Sequence, residues 1–414
     1  MDIKEKLKYL QGNSVSEKSV RKRTNITDIN KLLKGENSEN EFGSFLKITK
    51  KIPLKKKHGR IDLNMSESLS SEILNMIDAG ISLPQNFDYN NLIYLDTETT
   101  GLAGGTGTVP FLTGVGYFNK DSFCVTQYFM RDFSEEKAVL FELSKIINKK
   151  SVIVTYNGKC YDLNVLNSRF TISRLKNPFT EIKHLDLLFP ARRLWKKRIG
   201  SCSLINIEKN ILQFNREDDI PGYMIPSVYF DFVHNGITGG IEKIVTHNVY
   251  DIVSLAAINV HLAGIYISPF KYLSDWQDLF SLGRIFENLG KIDNAEECFK
   301  KSARVSEAKN GIEESLVKLA YIYKRAGDWG SAERIWKYII NKFPHNLEIH
   351  TELAKYYEHV KKDYNLAHKV VDRALNFIYL KSELYGGISF SMQTGELKYR
   401  GSRIKRKINN SQLV

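Results

Sequence analysis

The sequence predicts an α/β domain, a mixed sheet with helices on both faces, followed by an all-α domain of repeated helical hairpins. Three observations carry this. Between residues 81 and 268, short β-branched and aromatic runs alternate with stretches of helical apolar spacing. From 276 to 376 the strand signals stop. Within that second stretch Ala295, Ala332 and Ala367 recur at spacings of 37 and 35 residues.

Taken in order, residues 1–80 read as a basic N-terminal extension, polar and weakly patterned, with the run KKIPLKKKHGR (50–60) extended around Pro53. The segment NLIYLDTE predicts a strand, and VPFLTGVGYF with SFCVTQYFM predicts a hairpin turned by NKD. SEEKAVLFELSKIIN has helical spacing with Ser134 as its N-cap. SVIVTYNG is a further strand, and YDLNVLNSRF opens a helix. In the repeats, Gly283, Ala320 and Lys355 precede the three alanines by twelve residues, and Gly290, Gly327 and Lys362 by five. Phe299, Trp336 and Val371 follow them by four, and Pro344 closes the second unit. Small residues where helices cross and large ones between units make a tetratricopeptide-like pattern, with the third unit departing most. Residues 377–414 read as a basic C-terminal tail.

Charge is concentrated at the ends. Residues 1–60 hold 16 basic against 7 acidic residues and 377–414 hold 7 against 2, so a net charge of +13 leaves the middle near neutral. Basic ends suit a polyanion such as nucleic acid, or serve only as solubilising tails. The N-terminus lacks the apolar core of a signal peptide, and no apolar run is read as long enough for a bilayer. Cys124, Cys160, Cys202 and Cys298 form no CxxC pair and read as reduced thiols. Together these predict a cytoplasmic protein with no membrane contact.

The chemistry is carried by acids. In LDTET, Asp96 and Glu98 are two apart on a strand and project from one face. Two carboxylates held together repel unless a proton or metal intervenes, and oxygen ligands of this kind suit Mg²⁺ or Mn²⁺. Asp162 stands at a helix start after the strand SVIVT. Asp251 stands at the entry of an apolar helix, with His247 one turn earlier. Each aspartate alone is explained as a helix cap. Four acids at strand and helix ends point jointly to a metal site. No G-K-[ST] follows the glycines after LDTETTGLAGGTGT, so they are not a nucleotide cradle; Gly101, Gly104, Gly105 and Gly107 allow close approach of backbone to a substrate or simply enter the hairpin.

With these motifs, and with YNGKCYDLNVL, HLDLLFPARRLW, CSLINIEKNIL…DDIPG and THNVYDIVSLA, the chain resembles the DEDD group of ribonuclease-H-like 3′ exonucleases. More narrowly it resembles the YprB-type family, in which such a domain precedes tetratricopeptide repeats. The resemblance spans about residues 90–262. It implies a ribonuclease H fold, two Mg²⁺ or Mn²⁺ ions held by Asp96, Glu98, Asp162 and Asp251, and hydrolysis of DNA or RNA from a 3′ end. It also implies contact of the terminal nucleotide with Thr99, Gly101 and Leu102. These enzymes carry a Tyr four residues before the last Asp or a His five before it; here those positions are His247 and Thr246, and Tyr250 adjoins Asp251. His247 is preferred as the water-orienting group because positions i and i+4 share a helix face.

Asn157 joins the candidate substrate contacts. In RRLWKKR (192–198), Arg192, Arg193 and Lys196 could track phosphates and Trp195 could stack a base, or the run is a solvated helix face. Asp186 reads as a cap for the helix that follows it. The helical repeats suggest a protein partner. An inactive binding adaptor on a nuclease fold and a structure-selective endonuclease remain alternatives to an exonuclease.

Overall fold

The computed structural model describes residues 26–101, 105–385 and 391–411. They divide into two compact units. The first takes the described residues up to Ser71, then Pro84–Leu187 and Ile211–Val260. The second takes Glu72–Leu83, Leu188–Asn210 and the described residues from His261 onward.

In chain order the elements are α1 (Ile26–Leu32), β1 (Glu36–Asn40), β2 (Gly43–Pro53), the short pair β3 (Lys57–His58) and β4 (Ile61–Asp62), and α2 (Ser71–Ile77). Next come β5 (Leu92–Thr99), β6 (Pro110–Asn119), β7 (Ser122–Phe129), α3 (Glu136–Ile146), β8 (Val152–Thr155), α4 (Asp162–Ile172) and β9 (Lys183–Asp186). They are followed by α5 (Leu188–Ile199), α6 (Leu204–Ile207), α7 (Ile225–Asn235) and α8 (Ile241–Ile267). The remainder is helical: α9 (Pro269–Tyr272), α10 (Trp276–Asn288), α11 (Ile292–Val305), α12 (Lys309–Ala326), α13 (Trp329–Lys342), α14 (Leu347–Tyr356), α15 (Tyr364–Tyr385) and α16 (Ser391–Ser411).

The first unit is built on a seven-stranded sheet in the order β1-β2-β7-β6-β5-β8-β9. β5, β8 and β9 are mutually parallel, and the other pairs are antiparallel. The mixed sheet and the all-helical region that follows it agree with the predicted fold class. Strand β5 and the start of α4 also fall where the apolar runs place them. Ser134 is not the cap of α3, however. Asp132 accepts from the Ser134 N–H and caps a short 3₁₀ turn that leads into the helix.

The reading of residues 1–80 as an extension is corrected. β2 pairs with β7 from Leu46 to Pro53 and buries Phe45, Leu46 and Ile48. Arg131 fastens this segment: its guanidinium reaches Asn37 Oδ1 at 2.7 Å and Ser44 Oγ at 3.2 Å while pairing with buried Glu135. Of the lysines that made the stretch look like a tail, Lys50 and Lys51 are exposed on β2 and Lys55, Lys56 and Lys57 are exposed just after it. The C-terminal tail is corrected likewise. α16 buries Leu397 and Ile404, and Arg400, Arg403 and Lys407 converge on buried Glu358 at 2.9, 2.6 and 2.9 Å.

Helix α8 has the length and hydropathy to cross a membrane, contrary to the expectation that no such run exists, but 89% of its most apolar window is buried in the protein. Hydrophobic burial within the protein accounts for its composition.

In the helical region Gly290, Gly327 and Lys362 all have left-handed backbone, with φ of 74°, 75° and 56°. The three positions are thus equivalent in geometry although the third is not glycine. Its offset has a cause: residues Tyr357–Lys361 form a π-turn, which takes up an extra residue. Accordingly Ala354, not Lys355, is the small buried residue of that hairpin. A Cβ-bearing residue in the left-handed region costs about 1–2 kcal/mol, partly offset by the entropy a glycine loses on folding. Lys362→Gly should therefore stabilise the protein by roughly 0.5–1 kcal/mol, read as a rise in the denaturant midpoint; a fall would mean that the lysine side chain holds the turn.

Candidate metal centre

Three parallel strands run side by side and end at one edge of the sheet, and each delivers an acid there. Asp96 and Glu98 lie at the end of β5, which bulges between Glu98 and Thr99. Asp162 is the first residue of α4, entered after β8. Asp186 ends β9. The carboxyl ends of parallel strands are where α/β sheets place their ligands. Asp251 arrives from α8, in the body of that helix rather than at its entry as expected, because α8 begins ten residues earlier at Ile241.

The position of α8 is set by a residue with no side chain. Gln127, Gly114 and Asp96 sit opposite one another on β7, β6 and β5. Asn248 lies above Gly114: a Cβ at that glycine would stand 2.2 Å from Asn248 Oδ1 and 2.3 Å from Ile252 Cδ1. In that space the Asn248 amide accepts from Gln127 Nε2 at 2.8 Å and donates to Asp96 Oδ2 at 2.8 Å. Asn248 is completely buried. With Asn248 held there, His247 and Asp251, one turn apart, face the acids of β5.

The acids interact strongly. Burial raises the carboxyl of Asp96 well above its ordinary range, and the charges of Asp251, Glu98 and Asp162 raise it further. Burial also raises Glu98, helped by Asp251 and Asp162 and opposed by Arg216. Asp162 is pushed up to about 6, again chiefly by burial, although Thr97 Oγ1 donates to its Oδ1 at 2.6 Å. Buried carboxylates that raise one another in this way form a receptor for a cation or a proton. Glu98, His247 and Asp251 also offer ligand atoms within 4.8 Å of one another. His247 Nε2 lies 3.4 Å from Asp251 Oδ2 and 4.0 Å from Glu98 Oε1. Hard oxygen donors with one imidazole nearby fit Mg²⁺ or Mn²⁺.

Several contributors have no signal in the periodic sequence. Arg216 Nη2 donates to Asp251 Oδ1, and Arg216 Nη1 reaches Asp219 Oδ2 at 3.2 Å. Asp219 Oδ1 lies 2.7 Å from His247 Nδ1. Tyr250 turns toward these supports: its ring lies 5.9 Å from the Arg216 guanidinium and meets Phe214 edge-on. A lone arginine beside paired acids in NREDDIPG was the available clue.

Among the remaining candidates, Thr99 Oγ1 donates to the Gly101 carbonyl at 2.8 Å, and Tyr161 OH contacts both residues. Leu102 lies outside the described residues. Asn157 is exposed with left-handed backbone (φ 68°). Asp186 is buried and accepts from the N–H groups of Asn157 and Lys159 at 2.8 and 3.1 Å. It thus organises that turn. The RRLWKKR run lies on α5 of the second unit. Arg192, Arg193 and Lys196 are exposed there, and Arg193 donates to the Ile77 carbonyl. Trp195 as a base-stacking residue is corrected: it is fully buried and stacks on His261. Ala191, Leu194 and Trp195 form the inward face of α5 at helical spacing.

The family model of the RNase_H superfamily matches residues 93–263, the span that contains all four carboxylates. That span is an RNase H-like domain. Over 365 residues the chain is 29% identical to a distant homologue, the uncharacterized protein YprB of Bacillus subtilis (strain 168), covering 86% of this chain and 85% of that protein.

The raised carboxyls set a pH dependence. A group that binds its proton more tightly when folded contributes stability at acid pH, and that contribution is lost as pH rises through the folded-state value. For Asp162 the window runs from the ordinary range near pH 4 to about 6; for Asp96 and Glu98 it extends upward. After chelation the protein should melt lower at pH 8 than at pH 5. Glu98→Gln should melt higher than wild type at pH 8, the difference closing at pH 5. A variant that melts lower at pH 8 would mean that the acids are not in repulsion.

Proposed function

We propose that the protein is a metal-dependent nuclease, a 3′–5′ exonuclease that hydrolyses phosphodiester bonds of DNA or RNA. The observation that carries this reading is the convergence of Asp96, Glu98, Asp162 and Asp251 at one sheet edge, three of them with raised carboxyls. These four residues would hold two Mg²⁺ or Mn²⁺ ions. When bound, such ions supply an acidified water and neutralise charge at the leaving oxygen. His247 accepts the proton of the attacking water at Nε2, the nitrogen that faces Glu98 and Asp251. Thr99 and the Gly101 backbone lie beside the acids and meet the terminal nucleotide. Arg192 and Lys196 offer a basic surface, and the paired helices α10–α15 act as tetratricopeptide-like repeats toward a protein partner.

The test is end-labelled single- and double-stranded DNA and RNA incubated with the protein and Mn²⁺. A ladder that shortens one nucleotide at a time from the 3′ end is expected, and internal cuts would replace the exonuclease reading with an endonuclease. Asp96→Asn and Asp251→Asn should each lower the rate at least about 10²-fold while the far-ultraviolet circular dichroism stays that of the wild type. Wild-type rates in both variants would remove the acids from the mechanism.

A further inference from the structure

His247 Nδ1 has two polar neighbours, Asp219 Oδ1 at 2.7 Å and Arg216 Nη1 at 3.2 Å. They make opposite demands. A guanidinium only donates, so it favours a bare Nδ1, whereas a carboxylate only accepts, so it favours Nδ1–H. The carboxylate is closer. A bare Nδ1 would also set two lone pairs against each other at 2.7 Å, whereas an N–H there makes a charge-assisted hydrogen bond. Arg216 has other acceptors in Asp219 Oδ2 and Asp251 Oδ1. Nδ1 therefore carries the hydrogen, and Nε2 presents its lone pair toward Glu98 Oε1 and Asp251 Oδ2. Among three acceptors only a cation or a hydrogen-bond donor is stable, which is the place of a water about to lose its proton.

We propose that Asp219 is a positioning residue: held by Arg216, it fixes the Nδ1–H tautomer of His247 and so leaves Nε2 able to take the proton from the attacking water. An acid behind a histidine sets the tautomer in this way at other catalytic and metal sites. The catalytic consequence rests on the nuclease reading above, whereas the tautomer itself does not.

Arg216 makes the proposal sharp. In Asp219→Asn the guanidinium still requires an acceptor, so the amide oxygen faces Arg216 and the amide NH₂ faces His247. That NH₂ donates to Nδ1 and drives the hydrogen to Nε2. Asp219→Ala leaves Arg216 facing Nδ1 and so favours the same tautomer, without an amide NH₂ aimed at that nitrogen. The near-isosteric variant should therefore be no less damaging than the alanine, the reverse of what a packing role gives.

The experiment labels histidine with ¹⁵N and reads the His247 nitrogens at pH 8, with His247→Gln used for assignment, beside turnover of an end-labelled oligonucleotide and Mn²⁺ titration calorimetry. Wild type should show Nδ1–H and Asp219→Asn should show Nε2–H. Turnover should fall roughly 10²–10⁴-fold in Asp219→Asn and no further in Asp219→Ala, with Mn²⁺ affinity within about threefold in both. A wild-type Nε2–H signal, an unchanged tautomer in Asp219→Asn, or a larger loss in Asp219→Ala would overturn the proposal. Loss of Mn²⁺ binding in either variant would do so too, by making Asp219 part of the metal shell. If wild type cuts no oligonucleotide, the nuclease reading fails, and the nitrogen spectrum still decides the tautomer.

Discussion

The site depends on one missing side chain. Because position 114 has no Cβ, the Asn248 amide can sit on the sheet and bond to strands on both sides of β6. This fixes how deep α8 lies and how it is rotated. Rotation matters more than depth: 100° per residue separates a helix that turns His247 and Asp251 toward the acids from one that turns them away. Gly116 extends the same seat, since a Cβ there would stand 2.4 Å from Ile252 Cγ2. The geometry of the site is thus set by packing against a bare strip of sheet, a more rigid reference than a loop.

The two units use buried acids in opposite ways. In the second, Glu358 is surrounded by three cationic side chains from α16, so its charge is fully answered within the protein. That arrangement ties a terminal helix down and leaves nothing for a ligand to neutralise. In the first, three acids carry raised carboxyls, and the guanidinium of Arg216 reaches Asp251 and Asp219. Thr97 and Asn248 each donate one hydrogen bond. An acid cluster left short of positive charge costs stability, and supplying a cation is what would return it.

Much of this was legible from the amino acids. The strand before Asp96, the helix starting at Asp162 and the one-turn spacing of His247 and Asp251 each follow from local periodicity, and the RNase H-like span coincides with them. Arg216 and Asp219 were not legible, because they come from an irregular stretch whose meaning lies in contacts made about 30 residues away. Gln127 and Asn248 look like ordinary polar residues until the sheet register sets Gln127 and Asp96 on either side of Gly114 and the helix lays Asn248 over it. Lysines disguised β2 as a tail. At Trp195 two patterns overlapped, and the helical face defined by Ala191 and Leu194 outweighed the charge run.

The place of β2 has a consequence for the order of synthesis. Its partner β7 lies far later in the chain, from 69 residues for the pairing of Pro53 with Ser122 to 83 for that of Leu46 with Phe129. A ribosome adding about 5–20 residues per second leaves the β7-facing edge of β2 unpaired for several seconds, although β1 can already pair with its other edge. During that interval the lysines of the same stretch, Lys47, Lys50 and Lys51, discourage two nascent chains from joining edge to edge. The basic character of this segment thus has work to do before there is any fold, protecting a strand that must wait for its neighbour.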